Sequence, residues 1–409
     1  MPTDLFEPPQ RRHIVRAERG YAAFVPPPLP PALDLTPDLV RLNSEADRAV
    51  GLLSGVCQTL PNPYLLSRSL MRRESVLSSR IEGTHASLSD LLIYQAKGEP
   101  AGAASDDVRE VANYVAAMEA VLDPHRRLPL SLPLLREAHR ILMTGIRGHH
   151  ATPGDFRTSQ NWIGSPGSTL DDATYVPPPP ERLWESLDAF EKYMHCEREL
   201  PPLVEIACLH YQFEAIHPFV DGNGRVGRLL IGLLLIEWGL LPLPLLDLSA
   251  YIEPRRPTYY EGLLGVSARG DWAGWVRFFL TAVARQSASV VERARRMQGL
   301  REDYRARLSS ARSSGLLLVL VDALFESPVM TIGRARQRTQ VTHRAASLNV
   351  EKLVAAGILR ELDRPTRPRI FLADDVIAAI EGRLEHPELP EDPDVNEIEG
   401  PDMTEWEHA

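Results

Sequence analysis

One short segment constrains the fold of this chain more than any other, because it is polar and glycine-rich and stands between two apolar stretches. It spans residues 217–228 and reads HPFVDGNGRVGR. The apolar residues of 203–216 recur at helical spacing, and the following LLIGLLLIEWGLL is apolar enough for a buried helix. We therefore predict a loop between two core helices, with Gly222, Gly224 and Gly227 where the second helix begins.

The residues of this loop supply groups that suit chemistry at a phosphate. His217 has a neutral form at pH 7 and can act as a general base, while Asp221 is a hard oxygen ligand suited to Mg²⁺. The N-terminus of a helix offers unpaired N–H groups and a positive dipole end, and glycines let a phosphate approach the backbone. Gly222, Asn223 and Gly224 would therefore offer backbone and amide N–H donors to a phosphate.

Two arginines complete the set, and Phe219 is expected to anchor the loop in the core. Arg225 and Arg228 are three residues apart on the second helix, so their side chains can bind further phosphate oxygens together. Each residue alone has a simpler explanation, such as a helix cap or a plain turn, but a plain turn needs no base, acid and two arginines. The combination favours phosphoryl or nucleotidyl transfer, and spacing alone leaves kinase, nucleotidyltransferase and phosphatase chemistry open.

Composition indicates a soluble protein of two or three domains. The chain has 409 residues, of which 44% are hydrophobic and 24% charged, as in ordinary globular proteins. Its three cysteines form no close pair, which fits a reducing compartment and excludes a disulfide framework. We expect no membrane span, because Glu237 and two prolines interrupt the long apolar stretch, and no signal peptide, because the N-terminus lacks a short apolar core. A cytoplasmic location follows as the default.

The pattern along the chain predicts a mainly α-helical protein whose character changes near the C-terminus. After residue 314 the order is a helix, a helix-turn-helix and a hairpin, as in a winged helix. Residues 385–409 hold ten acidic residues and no Lys or Arg, so the net charge of −10 says little about the rest. The predicted segments are an extended proline-rich arm (1–37), a helical region (38–130), a central core (131–285), a connector helix (286–313), a winged-helix domain (314–383) and a disordered tail (384–409).

An irregular stretch at residues 149–183 is too long for a simple connection between helices. We predict that it is functional or carries a small hairpin, with an edge strand at 173–176 that ends at the following prolines. Further upstream, the pattern predicts a helix that ends near Gly83 and another that begins near Ser87.

The segment HPFVDGNGRVGR resembles the signature of the Fic-domain proteins, HxFx(D/E)GNGRxxR, and matches it at every fixed position. Members of this family are mostly α-helical and transfer AMP from ATP to a Ser, Thr or Tyr hydroxyl of a target protein, and some transfer other phosphate-bearing groups. The resemblance implies a Fic helical core with a small β-hairpin flap, His217 as the general base and Asp221 as the Mg²⁺ ligand. It implies that the ATP-binding residues are Gly222, Asn223, Gly224, Arg225, Val226, Gly227 and Arg228, the last of which meets the γ-phosphate.

A second pattern resembles the inhibitory motif of the same family, [S/T]xxxE[G/N]. It is formed here by Ser78, Glu82 and Gly83 and lies on the N-terminal side of the signature. The resemblance implies that Glu82 pairs with Arg228 and displaces the γ-phosphate, since a carboxylate and a phosphate compete for one guanidinium. The alternative is that Glu82 faces solvent on a helix that Gly83 ends.

Two further correspondences with the family concern the binding of the target protein and of the adenine ring. Thr174, Tyr175 and Val176 resemble the flap that holds a target's backbone beside the histidine. Tyr259 and Tyr260 lie where relatives line the adenine pocket, with core packing as the alternative.

The C-terminal domain could bind DNA phosphates or could be a protein-interaction or dimerisation module. The arginines suited to DNA are Arg334, Arg336, Arg338, Arg344, Arg364, Arg367 and Arg369. The leading hypothesis is an autoinhibited protein adenylyltransferase that modifies a target protein or itself. The alternatives are a DNA-binding regulator with a nucleotide-sensing Fic region, and an enzyme that also removes AMP.

Overall fold

The computed structural model describes residues 1–59, 62–97, 105–145, 152–165, 167–309, 315–362 and 368–382. These stretches are mainly helical, as the sequence predicts, with two small antiparallel sheets. The expected acidic tail (384–409) and two arginines of the expected wing, Arg364 and Arg367, lie outside them. None of the helices in the described stretches combines the length and apolar character required to cross a membrane.

The helices are α1 (Pro8–Arg11), α2 (Pro37–Thr59), α3 (Pro63–Ile81), α4 (Leu88–Lys97), α5 (Ser105–Val121), α6 (Leu132–Leu142), α7 (Pro180–His195), α8 (Pro202–Ile216), α9 (Asn223–Glu237), α10 (Ser249–Ile252), α11 (Arg256–Arg269), α12 (Trp272–Ser309), α13 (Gly315–Glu326), α14 (Ile332–Thr339), α15 (His343–Ala355) and α16 (Asp374–Glu381). The strands are β1 (Ile14–Arg16), β2 (Ala22–Phe24), β3 (Val329–Thr331), β4 (Arg360–Glu361) and β5 (Ile370–Leu372).

Helices α8 and α9 form the centre of the fold and carry the predicted loop between them. Every residue of α8 after Pro202 is buried, because α7, α9, α11 and α12 pack around it. The indole N–H of Trp275 on α12 donates to the carbonyl of Ala207 at 2.8 Å, which fixes the long helix against α8. The predicted arrangement of helix, polar loop and helix is therefore confirmed.

The predicted boundary between core and connector is wrong as a structural boundary. Helix α12 runs without a break through residue 285, because no proline interrupts its sequence from Trp272 to Ser309. Its first half packs in the core, where Val276, Leu280 and Val283 are fully buried. The same helix therefore connects the core to the C-terminal elements.

The N-terminal arm is not simply extended, contrary to expectation. It contains a 3₁₀ turn, α1 and the β1–β2 hairpin, in which Ile14 pairs with Phe24. Phe6 and Phe24 are fully buried, and their ring centroids lie 5.4 Å apart. Burial of these aromatic rings explains why a proline-rich segment folds onto the core.

The C-terminal elements pack against α3, which leads into the inhibitory motif. Strand β5 lies between β3 and β4, and both pairings are antiparallel. The sequence predicted the order of the helices and the hairpin but missed β3. At the contact with α3, the hydroxyl of Ser69 donates to the carbonyl of Phe325 at 3.3 Å, and Arg68 pairs with Glu326 at 2.5 Å.

Candidate active site

The loop between α8 and α9 is closed by backbone geometry and by one amide side chain. His217 ends α8 in the left-handed conformation, with φ of 50°, and Gly222 adopts φ of 78° before α9. The amide of Asn223 accepts from the N–H of Phe219 at 2.8 Å and donates to its carbonyl at 2.9 Å. One N–H and the oxygen of this amide therefore hold the loop, and the expected donor role of the Asn223 side chain toward a phosphate stays a prediction for its second N–H.

A cavity of about 530 Å³ opens at this loop and collects most of the predicted site residues. The predicted residues that line it are His217, Asp221, Gly222, Asn223, Gly224, Arg228, Glu82, Gly83, Thr174, Tyr175, Tyr259 and Tyr260. The backbone N–H groups of Asn223 and Gly224 lie in the first turn of α9, where the helix itself supplies no acceptor. The cavity thus has an anion-binding helix terminus, an imidazole and a guanidinium on its walls.

Five predicted residues do not line the cavity. They are Ser78, Val176, Arg225, Val226 and Gly227. The guanidinium of Arg225 is only 4% exposed and lies 3.3 Å from Glu110 and 3.7 Å from the carboxylate of Asp221, so it does not face the cavity directly. Gly224 and Arg228 share a helix face because they are four residues apart, whereas Arg225 is turned toward α5.

Glu82 occupies the guanidinium of Arg228. Nη2 of Arg228 donates to Glu82 Oε1 at 2.5 Å, and Nε donates to the hydroxyl of Ser78 at 2.8 Å. The Arg228 side chain is 1% exposed and that of Glu82 is 24% exposed. Glu82 follows the last residue of α3, and Gly83 adopts φ of 91°, so Gly83 does end the helix but Glu82 points into the cavity.

The charges of this pair favour its ionised form. Burial acts to raise the pKa of Glu82, but the charges of Arg228 and Arg225 outweigh it and hold the pKa below its ordinary value. Burial acts to lower the pKa of Arg228, and Glu82 reverses that effect. Gly224 leaves the necessary space, because a Cβ at this position would overlap the Glu82 carboxylate.

His217 has the protonation state of a base. Its Nδ1 lies 3.2 Å from the carbonyl of Glu214, and because a carbonyl only accepts, Nδ1 carries the proton. The other ring nitrogen, Nε2, therefore keeps its lone pair. Burial lowers the pKa of His217 to about 4, so the ring is neutral at physiological pH.

Asp221 lines the cavity with a side chain that is 57% exposed. One of its oxygens accepts from the N–H of Gly222 at 2.5 Å. Among the described residues, no group of three or more His, Cys, Asp or Glu side chains is placed to hold a metal ion. Any cation at Asp221 would take most of its ligands from outside the protein, which is how Mg²⁺ binds beside nucleotide phosphates.

The far end of the cavity is aromatic. Tyr259 is 1% exposed. Nδ1 of His210 lies 3.1 Å from the carbonyl of Gly227 and so carries the ring proton, and the hydroxyl of Tyr259 therefore donates to Nε2 of His210 at 2.8 Å. The sequence missed Leu263, Leu264 and Ser267, which follow Tyr260 at helical spacing on the same wall. That spacing on α11 is the signal that could have found them.

The flap is smaller than predicted. In place of a strand at 173–176, the described residues form a single antiparallel bridge between Ile163 and Tyr175, with hydrogen bonds of 2.8 and 3.0 Å. The hydroxyl of Tyr175 donates to the carbonyl of Ala215, which turns this side chain into the core. Residues 177–180 are prolines and cannot extend the ladder. Asn161 and Trp162, which the sequence did not single out, line the cavity beside this bridge.

Glu214 is a further wall residue that sequence reasoning missed. Its carboxyl lies against Gly227, where a Cβ would overlap it, and its Oε1 has no hydrogen-bond partner among the described residues. Burial raises the pKa of Glu214 to about 8, which Arg228 opposes and Glu82 reinforces. The group therefore holds a proton at neutral pH. Nothing in the apolar pattern of α8 distinguishes this glutamate from a surface residue.

Two family models match the chain. The Fic/DOC family N-terminal model covers residues 40–123, and the Fic/DOC family model covers residues 129–235. The second range contains α8, the loop and most of α9, and the first contains the Glu82 motif. Residues 40–123 are therefore a Fic/DOC N-terminal region, and residues 129–235 are a Fic/DOC domain.

The chain is also similar to individual Fic proteins. It is 30% identical over 183 residues to the protein adenylyltransferase Fic of Drosophila grimshawi, which covers 43% of this chain and 34% of that protein. The match to the Drosophila virilis protein of the same name has equal identity and covers 33% of it. The matched region is thus about a third of each relative's length. A crystal structure of a Fic family protein from Desulfovibrio desulfuricans G20 shares the fold, with a TM-score of 0.55 and 21% identity over 84% of this chain and 98% of that one.

Proposed function

We propose that this protein transfers AMP from ATP to a hydroxyl group of a protein, itself included. The observation that carries the proposal is one cavity in which a neutral histidine, the open N-terminus of α9 and the buried Arg228 face the same space. The similarity to proteins named adenylyltransferases supports the choice of AMP. The aromatic wall at Tyr259 and Tyr260 is suited to stack on a purine.

The reaction follows from these positions. The triphosphate would lie along the first turn of α9, with its terminal phosphate on Arg228. Nε2 of His217 takes the proton of the acceptor hydroxyl, and the resulting oxygen attacks the α-phosphorus. A new O–P bond forms, the bond from the α-phosphorus to the bridging oxygen breaks, and pyrophosphate leaves. Mg²⁺ held by Asp221 and phosphate oxygens would neutralise charge on the phosphates.

We also propose that Glu82 inhibits this site in the resting protein. Glu82 holds the guanidinium nitrogen that a γ-phosphate requires, and its carboxylate fills the space above Gly224. Because both partners are anions, they compete for one site on Arg228. We propose that Glu82 must leave before ATP binds with all three phosphates in place.

The test is the Glu82→Gly variant incubated with ATP and Mg²⁺ and followed by intact mass. We expect an AMP adduct on the variant at least about tenfold faster than on the native protein, which corresponds to removal of one charge-assisted contact. The same variant carrying His217→Ala should form the adduct at least about 100-fold more slowly. Absence of any adduct on Glu82→Gly, with the nucleotide bound, would contradict the proposed activity.

Removal of AMP is a second candidate, favoured by one observation. Glu82 is ionised and sits in the same cavity as His217, where a carboxylate could orient a water molecule for hydrolysis. Incubation with a protein already modified by AMP separates the two cases. Hydrolysis by the native chain that disappears in Glu82→Gly supports removal, whereas faster transfer alone supports the first proposal.

We interpret the C-terminal elements as a winged helix that contacts proteins rather than DNA. Three arginines of the predicted DNA surface are occupied within the chain: Arg334 donates to Ser327, Arg338 pairs with Glu326, and Arg369 pairs with Glu361. The outer face of α15 instead exposes Leu348 (51%) and Val354 (37%). A sharply salt-dependent gel shift with DNA would overturn this interpretation.

A further inference from the structure

We propose that Arg157 is a positioning residue that joins the flap to the general base and holds the backbone of His217 in its left-handed conformation. The proposal rests on the proposed function, because only there is His217 a base. Arg157 lies in the long irregular stretch that the sequence marked as functional without assigning it a task. It does not line the cavity and would act through its neighbours.

The contacts of Arg157 converge on the end of α8. Nε donates to the carbonyl of His217 at 2.8 Å, and Nη2 donates to the carbonyl of Ile216 at 3.3 Å. Nη2 also donates to the carbonyl of Pro178 at 2.6 Å, on the flap side. The backbone N–H of Arg157 donates to the carbonyl of Pro218 at 2.9 Å. Arg157 therefore binds residues 216–218, where α8 ends and the loop begins, and also binds the flap side at Pro178.

Burial and charge indicate that this geometry matters. Arg157 is 3% exposed, and the described residues include no carboxylate paired with it. Burial lowers the pKa of its guanidinium to about 10, so the side chain remains a cation without a counter-ion. A cation is favourable at the C-terminus of a helix, where the last carbonyls lack partners. Only a guanidinium offers five N–H groups in a fixed plane, so a lysine could not reach all of these carbonyls.

His217 requires such support. A φ of 50° is unfavourable for a residue with a Cβ and persists only where neighbouring contacts fix it. This conformation turns the chain so that the imidazole enters the cavity. Asn161, four residues after Arg157, donates to the carbonyl of Phe219 at 2.8 Å and thus supports the other side of the loop. The flap bridge between Ile163 and Tyr175 follows directly.

The experiment uses the full chain with Glu82→Gly, so that transfer is measurable. Arg157→Lys and Arg157→Met are added separately. The matched control is Arg136→Lys, at an arginine that donates to the carbonyl of Gly154 and to Asp155 instead of to the catalytic loop. Each variant is measured for kcat, for the Kd of ATP by calorimetry, and for the imidazole NMR signals of His217.

We expect Arg157→Lys to lower kcat about 100-fold, which is the effect of displacing a catalytic group by about 1 Å. The Kd of ATP should change less than about twofold, because the α9 N-terminus and Arg228 do not contact Arg157, and the control should leave every readout unchanged. The His217 signals should shift in both Arg157 variants.

Three results would overturn the proposal: kcat within about twofold of the parent in Arg157→Lys, equal losses of kcat and ATP affinity, or failure of both variants to fold. The last two would mark Arg157 as a general structural residue. If the parent with Glu82→Gly transfers no AMP, the proposed function fails. The NMR signals of His217 alone then test the positioning role of Arg157. Unshifted signals in Arg157→Lys would then refute the positioning role, and shifted signals with an unshifted control would support it.

Discussion

Two buried arginines flank the cavity, and they are held in opposite ways. Arg228 binds a side-chain carboxylate at the end of α3, whereas Arg157 binds only backbone carbonyls. Glu82 is 24% exposed, so solvent reaches part of its side chain, and we propose that an anionic ligand replaces its carboxylate. The carbonyls around Arg157 are part of the chain and cannot be replaced. We therefore propose that Arg228 belongs to an inhibitory switch, whereas Arg157 belongs to a fixed scaffold.

A buried carboxylate, that of Asp247, is held by two arginines in a third way. Asp247 is fully buried between Arg73 on α3 and Arg293 on α12, with the second contact at 2.8 Å. Here the carboxylate itself cannot reach solvent or be exchanged. This pair of contacts fastens α3, and therefore Glu82, to the core.

The largest expected effect is loss of the base. In the Glu82→Gly background, His217→Ala should lower the transfer rate by about 10²–10⁴-fold, the usual contribution of a general base, with ATP affinity retained. His195→Ala, at an exposed histidine of α7, is the matched control and should change nothing. Single-turnover rates measure both. Equal rates for the two variants would remove His217 from the chemistry.

The next effect is on stability. Asp247→Asn should lower the free energy of unfolding by about 3–5 kcal/mol, because the buried Arg293 and the mostly buried Arg73 lose their shared carboxylate. The control is Asp38→Asn, whose carboxylate also binds two arginines but is 46% exposed, and we expect a much smaller loss there because solvent screens these contacts. Urea unfolding of both variants gives the comparison. Equal losses would show that α3 is not fastened by this buried group.

A smaller effect is expected on the Kd of ATP, and it should differ between Glu82, which pairs with Arg228, and Glu110, which lies beside Arg225. Glu82→Gln should tighten ATP binding about tenfold, because the competing negative charge is lost while the size of the side chain is kept. Glu110→Gln, at the carboxylate beside Arg225 and outside the cavity, should change the Kd less than about twofold. Calorimetry measures both. If Glu110→Gln tightened ATP binding more than Glu82→Gln does, the nucleotide would bind at Arg225 and not at Arg228.

The smallest effect concerns pH. Burial lowers the pKa of His217 from its usual value near 6.5 to about 4, so the Glu82→Gly enzyme should keep its base unprotonated as pH falls from 7 to 5. The unfolded chain binds this proton first, so the contribution of His217 to stability is full above pH 6.5 and declines toward pH 4. A rate profile with an acid limb near 6.5 would show that burial does not control this histidine.

The sequence predicted the elements that depend on local pattern. The apolar runs on both sides of residues 217–228 indicated α8 and α9. The resemblance to the family's inhibitory motif placed Glu82 opposite Arg228, where it lies. The sequence did not predict that the Asn223 amide closes the loop on Phe219, because that closure depends on tertiary geometry and not on composition.

Other features could not be read from the sequence. The burial of Glu214 arises only when α8 packs against Gly227 of α9, and the pairing of Arg225 with Glu110 depends on where α5 lies. Arg157 gave no sequence signal beyond the length of its loop. In each case the partner is distant in the chain, so no local pattern identifies it.

The most direct test of the account is the preference of the site for ATP over ADP. If Glu82 holds the guanidinium reserved for a γ-phosphate, the native protein should bind ADP and ATP with Kd values within about twofold of each other. Glu82→Gly should bind ATP at least about tenfold more tightly than ADP, because Arg228 then gains a contact that only ATP supplies. An unchanged ratio of the two Kd values in Glu82→Gly would contradict the claim that this site is built complete and held inactive by Glu82.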